Sequence, residues 1–233
     1  MFSSRWRDAF LYAQSKVEVR LGDLPLRPYG SLRFIGDARR IERSASVLGA
    51  YLSENSFVFA AGVSTRPIHR VVGWFEAGQA LSYLGSRPGA NLWTPDYRGG
   101  LSYARGWGRL LGSPTRGKFL ETNADMVFVS RFNNNTLFYS QWRAGYTFAS
   151  KRESPEFQWQ ALWHWNLTTD SKREYWANFV ETGPGIQFRW RSMPPGMSVG
   201  IQALRGIYLL NSGNPRRPNY FDLRAGVWYA FTR

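Results

Sequence analysis

The chain closes on "FDLRAGVWYAFTR", residues 221–233. Taken in steps of two, Phe221, Leu223, Ala225, Val227, Tyr229 and Phe231 are all apolar. Asp222, Arg224, Gly226, Trp228 and Ala230 mix charge, glycine and one ring. Period two is the signature of a β-strand, whose successive side chains point to opposite faces. The stretch therefore predicts a final strand with one greasy face, one mixed face and an aromatic near its end.

The same pattern recurs upstream. Between Phe157 and Leu167 the odd positions are Phe157, Trp159, Ala161, Trp163, Trp165 and Leu167, against Gln158, Gln160, Leu162, His164 and Asn166. Leu120–Phe128 and "TLFYSQWRAGYTF" (136–148) alternate in the same way, as do Leu11, Ala13, Val17, Val19 and Leu21 against Gln14, Lys16, Glu18 and Arg20. Turn compositions fall between these runs: "GDLP" (22–25), "NNN" (133–135), "MPPG" (193–196) and "NSGNPRRPN" (211–219). The spacing predicts about twelve strands, most of them near the roughly 9–11 residues a tilted strand needs to cross a bilayer. No segment sustains a 3.6 period; a short helix at residues 2–9 is left open.

Composition bounds the function. The 233 residues suffice for one large domain or two small ones, and a single domain over 1–233 is expected. Aromatics make up 17% of the chain, with 11 Trp, which excludes a disordered chain. Mean hydropathy is only −0.39, so the rings alternate with polar residues instead of massing in blocks. "FVFAAGV" (57–63) is among the longest apolar runs, far short of the roughly 20 residues of a spanning helix. There is no cysteine, which removes disulfides, thiolate chemistry and Cys-based zinc sites. The opening "MFSSRWRDAFLYAQSKVEVRL" lacks the apolar core of a secretory leader. It reads as a cytoplasmic start or as the mature or C-terminal part of a longer product. The net charge of +14 is spread along the chain and clusters only in pairs such as Arg39-Arg40 and Arg216-Arg217. A groove-reading nucleic-acid module is not expected; a basic surface, or contact with anionic lipid or glycan, fits better.

Alternation alone does not say which face meets what. A soluble sandwich turns its apolar face inward, whereas a membrane barrel turns it toward lipid. The apolar faces here carry many Trp and Tyr, residues that favour the membrane–water boundary. The strands are long and come with no set of core helices. The terminal "RAGVWYAF" also fits the pattern of bacterial outer-membrane barrels: polar, any, glycine, two of any kind, apolar, any, aromatic. By resemblance, Arg224, Gly226, Tyr229 and Phe231 form the β-signal read by the barrel-insertion machinery, with Thr232-Arg233 as a departure from chains that end on the aromatic. We therefore expect an all-β, closed antiparallel transmembrane barrel of about 12 strands, in the bacterial outer membrane. Phe157, Trp159, Trp163, Trp165, Val227, Tyr229 and Phe231 are its lipid-facing candidates.

"LRPYGSLRFIGDARR" (26–40), "RPIHRVVGWFEAGQALSYL" (66–84) and "LRGIYLLNSGNPRRPNYFDLRAGVWYAF" (204–231) resemble the C-terminal domain of the phage-adsorption protein A family, and more loosely the barrels of exopolysaccharide-export proteins. The resemblance implies a C-terminal domain of a longer chain, a part in surface glycan traffic and a phage-receptor role. Membrane lipid, lipopolysaccharide, anionic polysaccharide and a phage tail protein are the implied partners. It supplies no catalytic residues.

Parity places Lys16, Glu18, Arg20, Arg33, Glu121, Asp125, Arg143, His164, Arg189 and Arg224 on the polar, lumen-lining faces. They form either a basic lumen that attracts anionic polymers by field focusing, or a salt-bridged filling of a narrow barrel. His69 and His164 are the only histidines, and no "GxSxG" occurs. His164 is expected to hydrogen-bond in the lumen, not to catalyse. No metal site, cofactor or enzymatic activity is expected; a barrel hydrolase acting on lipid or glycan and a soluble lipocalin-like binder are the alternatives. Arg205 interrupts an apolar face that Val199, Ile201, Ala203, Ile207 and Leu209 share. It lies near the interface, or follows a bulge at Gly206, or marks a register error. "GSRPGANLWTPDYRGG" (85–100) and "NSGNPRRPN" are read as long basic loops, the second able to meet lipopolysaccharide phosphates or a phage protein, or to be plain polar turns.

Overall fold

The computed structural model describes residues 1–37, 55–82, 93–113, 115–149, 156–210 and 218–229. Twelve strands follow one another: β1 (Phe2–Ser3), β2 (Asp8–Glu18), β3 (Arg27–Asp37), β4 (Ser56–Ile68), β5 (Val71–Ser82), β6 (Trp93–Gly108), β7 (Gly117–Val129), β8 (Asn135–Ala149), β9 (Phe157–Asp170), β10 (Phe179–Trp190), β11 (Met197–Tyr208) and β12 (Asn219–Tyr229). Each strand pairs with its neighbours in sequence, and the order closes on itself. The architecture is an all-β closed antiparallel barrel of twelve strands. Apart from β1, strands run from 11 residues in β2 to 16 in β6, about twice the usual length. Among the described residues there is no α-helix, only a 3-10 turn at Tyr175–Ala177.

Residues 2–9, left open above as a helix, instead form β1, a turn at 4–7 and the start of β2. The expected turns at 22–25, 133–135 and 193–196 hold: Gly22, Asn133, Asn134 and Gly196 all have positive φ, conformations that Gly and Asn adopt at least cost; residues 211–217 of "NSGNPRRPN" lie outside the described residues. The basic stretch 85–100 is a correction, because its residues from Trp93 onward belong to β6. Alternation of Trp93, Pro95 and Tyr97 outward with Asp96 and Arg98 inward made that part a strand. Arg20 is a second correction: it lies beyond the end of β2, exposed, where its Nε donates to the Gly22 carbonyl.

The first and last strands are joined. Phe2 and Ser3 of β1 face Ala225 and Arg224 of β12. The Ser4 N–H donates to the Leu223 carbonyl at 3.0 Å, and the Leu223 N–H returns a bond to Ser4 Oγ at 2.7 Å. The two-residue strand is reinforced by Asp222, whose carboxylate accepts from Ser3 Oγ and from the Arg5 N–H.

Packing divides the chain into two compact units. The first comprises Met1–Arg7, Ala104–Ala124 and Phe138–Arg233. Its buried face is polar: Gln160, His164, Asn166, Glu181 and Asp222 are all almost fully enclosed. Its exposed face is apolar, with Trp163, Ile186, Ile201, Phe221, Val227 and Tyr229 all large and open. The second unit comprises Asp8–Tyr103 and Asp125–Leu137. It buries Arg33, Glu76, Asp96 and Arg98 and exposes Leu32, Phe59, Val63, Phe75 and Tyr97. Both units therefore bury charge and expose hydrocarbon, the reverse of a water-soluble core.

Arg205 has the parity read from the sequence, exposed on the apolar face. It pairs with Thr182 and Phe221 in unbroken register, so no bulge at Gly206 relocates it. The β10–β11 pairs skip Gly183 and Pro184 without changing register; the proline has no N–H to offer the ladder.

Glycine is required where a tyrosine ring lies across a neighbouring strand. Gly206 faces Tyr220, and a Cβ there would collide with the ring's hydroxyl end. Gly62 faces Tyr29 in the same manner, with the Tyr29 Cζ 2.7 Å from the position a Cβ would take. Gly206→Ala is expected to cost about 1–3 kcal/mol as an overpacked site. Gly30→Ala, where a Cβ meets nothing within 4 Å, should stay within about 0.5 kcal/mol of wild type. Urea midpoints of the two variants in one detergent check the difference.

Candidate functional site: charge buried on the inward face

Most of the chemistry lies on the polar faces. In the first unit, Glu181 of β10 is 1% exposed. Its Oε1 accepts from Arg224 Nη1 at 2.6 Å and from Asn166 Nδ2 at 2.6 Å. Its Oε2 accepts from Arg224 Nη2 at 2.7 Å and from the Tyr220 hydroxyl at 3.0 Å. Arg224 also donates Nε to Asp222 at 2.7 Å. One guanidinium thus holds two buried carboxylates, one of them through a planar two-toothed contact. Strand pairing creates this arrangement: Tyr220, Gly206 and Glu181 lie in one cross-strand row. The small glycine lets the tyrosine reach over it to the acid.

The second unit repeats the device. Tyr29, Gly62 and Glu76 form one row across β3, β4 and β5. Glu76, 2% exposed, accepts from Arg33 at 2.7 Å, Ser31 at 3.2 Å and Tyr29 at 3.3 Å. In both units the tyrosine and arginine sit four apart on one strand, in "YGSLR" (29–33) and "YFDLR" (220–224). Asp96 adds a further buried anion in the second unit. It accepts from Arg98 Nε at 2.7 Å and from Arg131 Nε at 2.6 Å, and Arg131 also donates to Ser56.

The remaining lumen-lining candidates divide. Arg33, His164 and Arg224 belong to these enclosed networks. Arg143 bridges Glu121 at 2.8 Å and Gln187 at 3.3 Å, all half-buried. Lys16 and Glu18 pair at 2.9 Å and are more exposed. Asp125 and Arg189 are half-buried in β7 and β10. On the other face Trp163, Trp165, Val227 and Tyr229 are exposed. Phe157 and Trp159 are half-buried because rings cover them: Trp159 stacks on Phe148 at 4.0 Å, and Phe157 lies 5.5 Å from Trp190. Of the terminal signal residues, Arg224 is ion-paired, Gly226 lies against Met1 and Tyr229 is exposed. Phe231, Arg39-Arg40 and Arg216-Arg217 lie outside the described residues.

His164 Nε2 lies 2.7 Å from Asn166 Oδ1 and 2.9 Å from Gln141 Nε2. Its partners are amides, which offer no nucleophile; the tautomer that donates to Asn166 places Nδ1 unpaired in the interior. His69 is exposed in the two-residue β4–β5 turn beside Arg70. Among the described residues no group of three His, Cys, Asp or Glu gathers to hold a metal.

One segment that the sequence did not flag also enters the first unit's polar face. The β6–β7 connection bonds Thr147 through the Arg109 carbonyl, and Gln158 through the Gly112 N–H and the Ser113 carbonyl. Gln160 supports this by donating to Thr147 at 2.9 Å. The buried acids Glu76, Asp96 and Glu181 escaped parity reading because their roles depend on which strand lies alongside. The shared tyrosine-to-arginine spacing was the available signal for two of them. No family model matches the chain, and neither a curated protein nor a solved structure matches it.

Proposed function

We propose that this chain is a membrane-spanning barrel of the bacterial outer membrane, acting as an anchor with an ion-paired interior. The observation that carries the reading is the inversion of burial. Asp222, Glu181 and Asp96 are 0–1% exposed, while Val227, Tyr229 and Ile201 are 51–57% exposed. In water such a surface would bring chains together; against acyl chains it is the required face. Closure of the sheet leaves no strand edge in hydrocarbon, which a lipid environment demands.

The paired inward charges favour an anchor over an anion-attracting pore. A buried carboxylate needs a partner, and Glu76, Asp96, Glu181 and Asp222 each have an arginine. Each pair joins residues of one strand or of strands two apart, so the inward acids and bases neutralise one another along the wall and weaken the field that would draw an anionic polymer. Polysaccharide export and phage reception, the finer roles that the family resemblance implies, draw no support from these networks and stand outside the proposal. The hydrolase alternative gains nothing from the amide partners of His164.

Planar-bilayer recording of the refolded protein tests the anchor reading. Silence at voltages that open ordinary porins is expected. Stable anion-selective steps would replace the anchor with a basic pore.

A further inference from the structure

Arg7 and Arg205 of the first unit are among its arginines whose side chains make no hydrogen bond or ion pair with the described residues. Both are exposed. Arg7 closes the turn after β1 with φ 53°, a strained backbone for a side chain of its kind. Arg205 stands on the apolar face, where a cation at mid-depth of a bilayer costs about 2–4 kcal/mol and close to nothing at the boundary. It lies three residues before the end of β11, directly across from Phe221.

Phe221 also lines a cavity of about 510 Å³ together with Ser4, Arg5, Arg7, Tyr208 and Asn219. Arg5 in the cavity's wall is engaged by rings and a hydroxyl. The Arg5 guanidinium is 3.9 Å from the Tyr220 ring centre, 4.2 Å from Trp6 and 4.7 Å from Tyr208, and its Nε donates to the Tyr208 hydroxyl. The carboxylates of the adjoining network are already engaged: Asp222 by Ser3, Arg5 N–H and Arg224, Glu181 by Arg224, Asn166 and Tyr220. Beside the cavity the outward face is hydrocarbon, with Phe221 62%, Ile207 52% and Leu209 48% exposed.

We propose that this cavity binds the phosphate headgroup of an anionic membrane lipid, with Arg7 from its lining and Arg205, which stands across from its lining residue Phe221, as the two cationic contacts. The inference rests on the membrane-barrel reading. A phosphate at the cavity mouth gains charge-assisted hydrogen bonds from a guanidinium that reaches it, Ser4 and Asn219 offer further polar contacts, and the attached acyl chains continue down Phe221 and Ile207. The arrangement also accounts for an arginine on an otherwise apolar strand face: its long stem reaches along the wall to the headgroup level.

The test uses the protein folded in a neutral maltoside detergent, titrated with short-chain phosphatidylglycerol, phosphatidylcholine or inorganic phosphate. Retained adducts are read by native mass spectrometry, and folding is confirmed by the shift on heating in a denaturing gel. Phosphatidylglycerol is expected to bind, and the paired variant Arg7→Asn, Arg205→Gln to bind it at least about tenfold more weakly. Asparagine tolerates positive φ, so the variant keeps the turn. Equal retention of phosphatidylcholine, an unchanged variant, or saturation by inorganic phosphate alone would overturn the assignment. Failure to fold in any detergent would instead defeat the membrane reading on which it rests.

Discussion

Glu181→Ala is expected to destabilise the protein by about 3–5 kcal/mol, the cost of leaving a buried arginine without its partner. Arg224 then keeps only Asp222, at 2.7 Å, and Tyr220 and Asn166 each lose an acceptor. The pair itself is not the source of stability, since desolvation cancels most of the attraction. Removing both charges should therefore be gentler than removing one. Glu181→Ala with Arg224→Met is predicted to recover at least about 1 kcal/mol of the loss, less what Asp222 then forfeits. Urea unfolding in lipid vesicles, followed by tryptophan fluorescence, measures both. A single variant within about 1 kcal/mol of wild type would mean that water reaches Glu181.

Ile201→Arg should cost about 2–4 kcal/mol when the protein sits in a bilayer. Ile201 lies near the middle of β11, between Ile186 and Ala225, and is 51% exposed. The same change at an exposed site in water is worth no more than about 0.5 kcal/mol. The prediction thus separates lipid from water at one residue, again through urea unfolding in vesicles. The variant should also fold more slowly into bilayers, because the charge must cross the hydrocarbon as the barrel inserts. An indifferent substitution would indicate that the apolar face is covered by protein or water.

Alternation in the sequence carried the strands and their faces. The final strand is legible from Phe221 to Tyr229 because every second residue obeys one rule, and β9 is legible for the same reason. Even Arg205, which breaks the apolar pattern, kept the face that parity assigned it. Partnerships between strands were less accessible. Glu181 meets Arg224 only because β10, β11 and β12 align in a particular register, and period two within a strand contains no information about register between strands. Ring packing was hidden too: Phe157 and Trp159 read as lipid-facing, yet neighbouring aromatics pack against each. The β6–β7 connection carried no signal in the sequence. Its backbone fills hydrogen-bonding positions on β8 and β9, which composition does not reveal. The turn at residues 4–7 hides its role in the same way, since the join to Leu223 is made by a partner more than two hundred residues distant.

The absence of cysteine makes the most direct measurement simple. A nitroxide placed by Ile201→Cys or by Gln202→Cys is the sole label in the chain, and the two sites are neighbours of opposite face. Power-saturation EPR in phospholipid vesicles compares collisions with oxygen, which concentrates in hydrocarbon, and with a nickel chelate confined to water. The label at 201 is predicted to be open to oxygen and closed to nickel, and the label at 202 to be shielded from oxygen. Ready nickel access at 201, or oxygen access at 202 as high as at 201, would contradict the inside-out barrel.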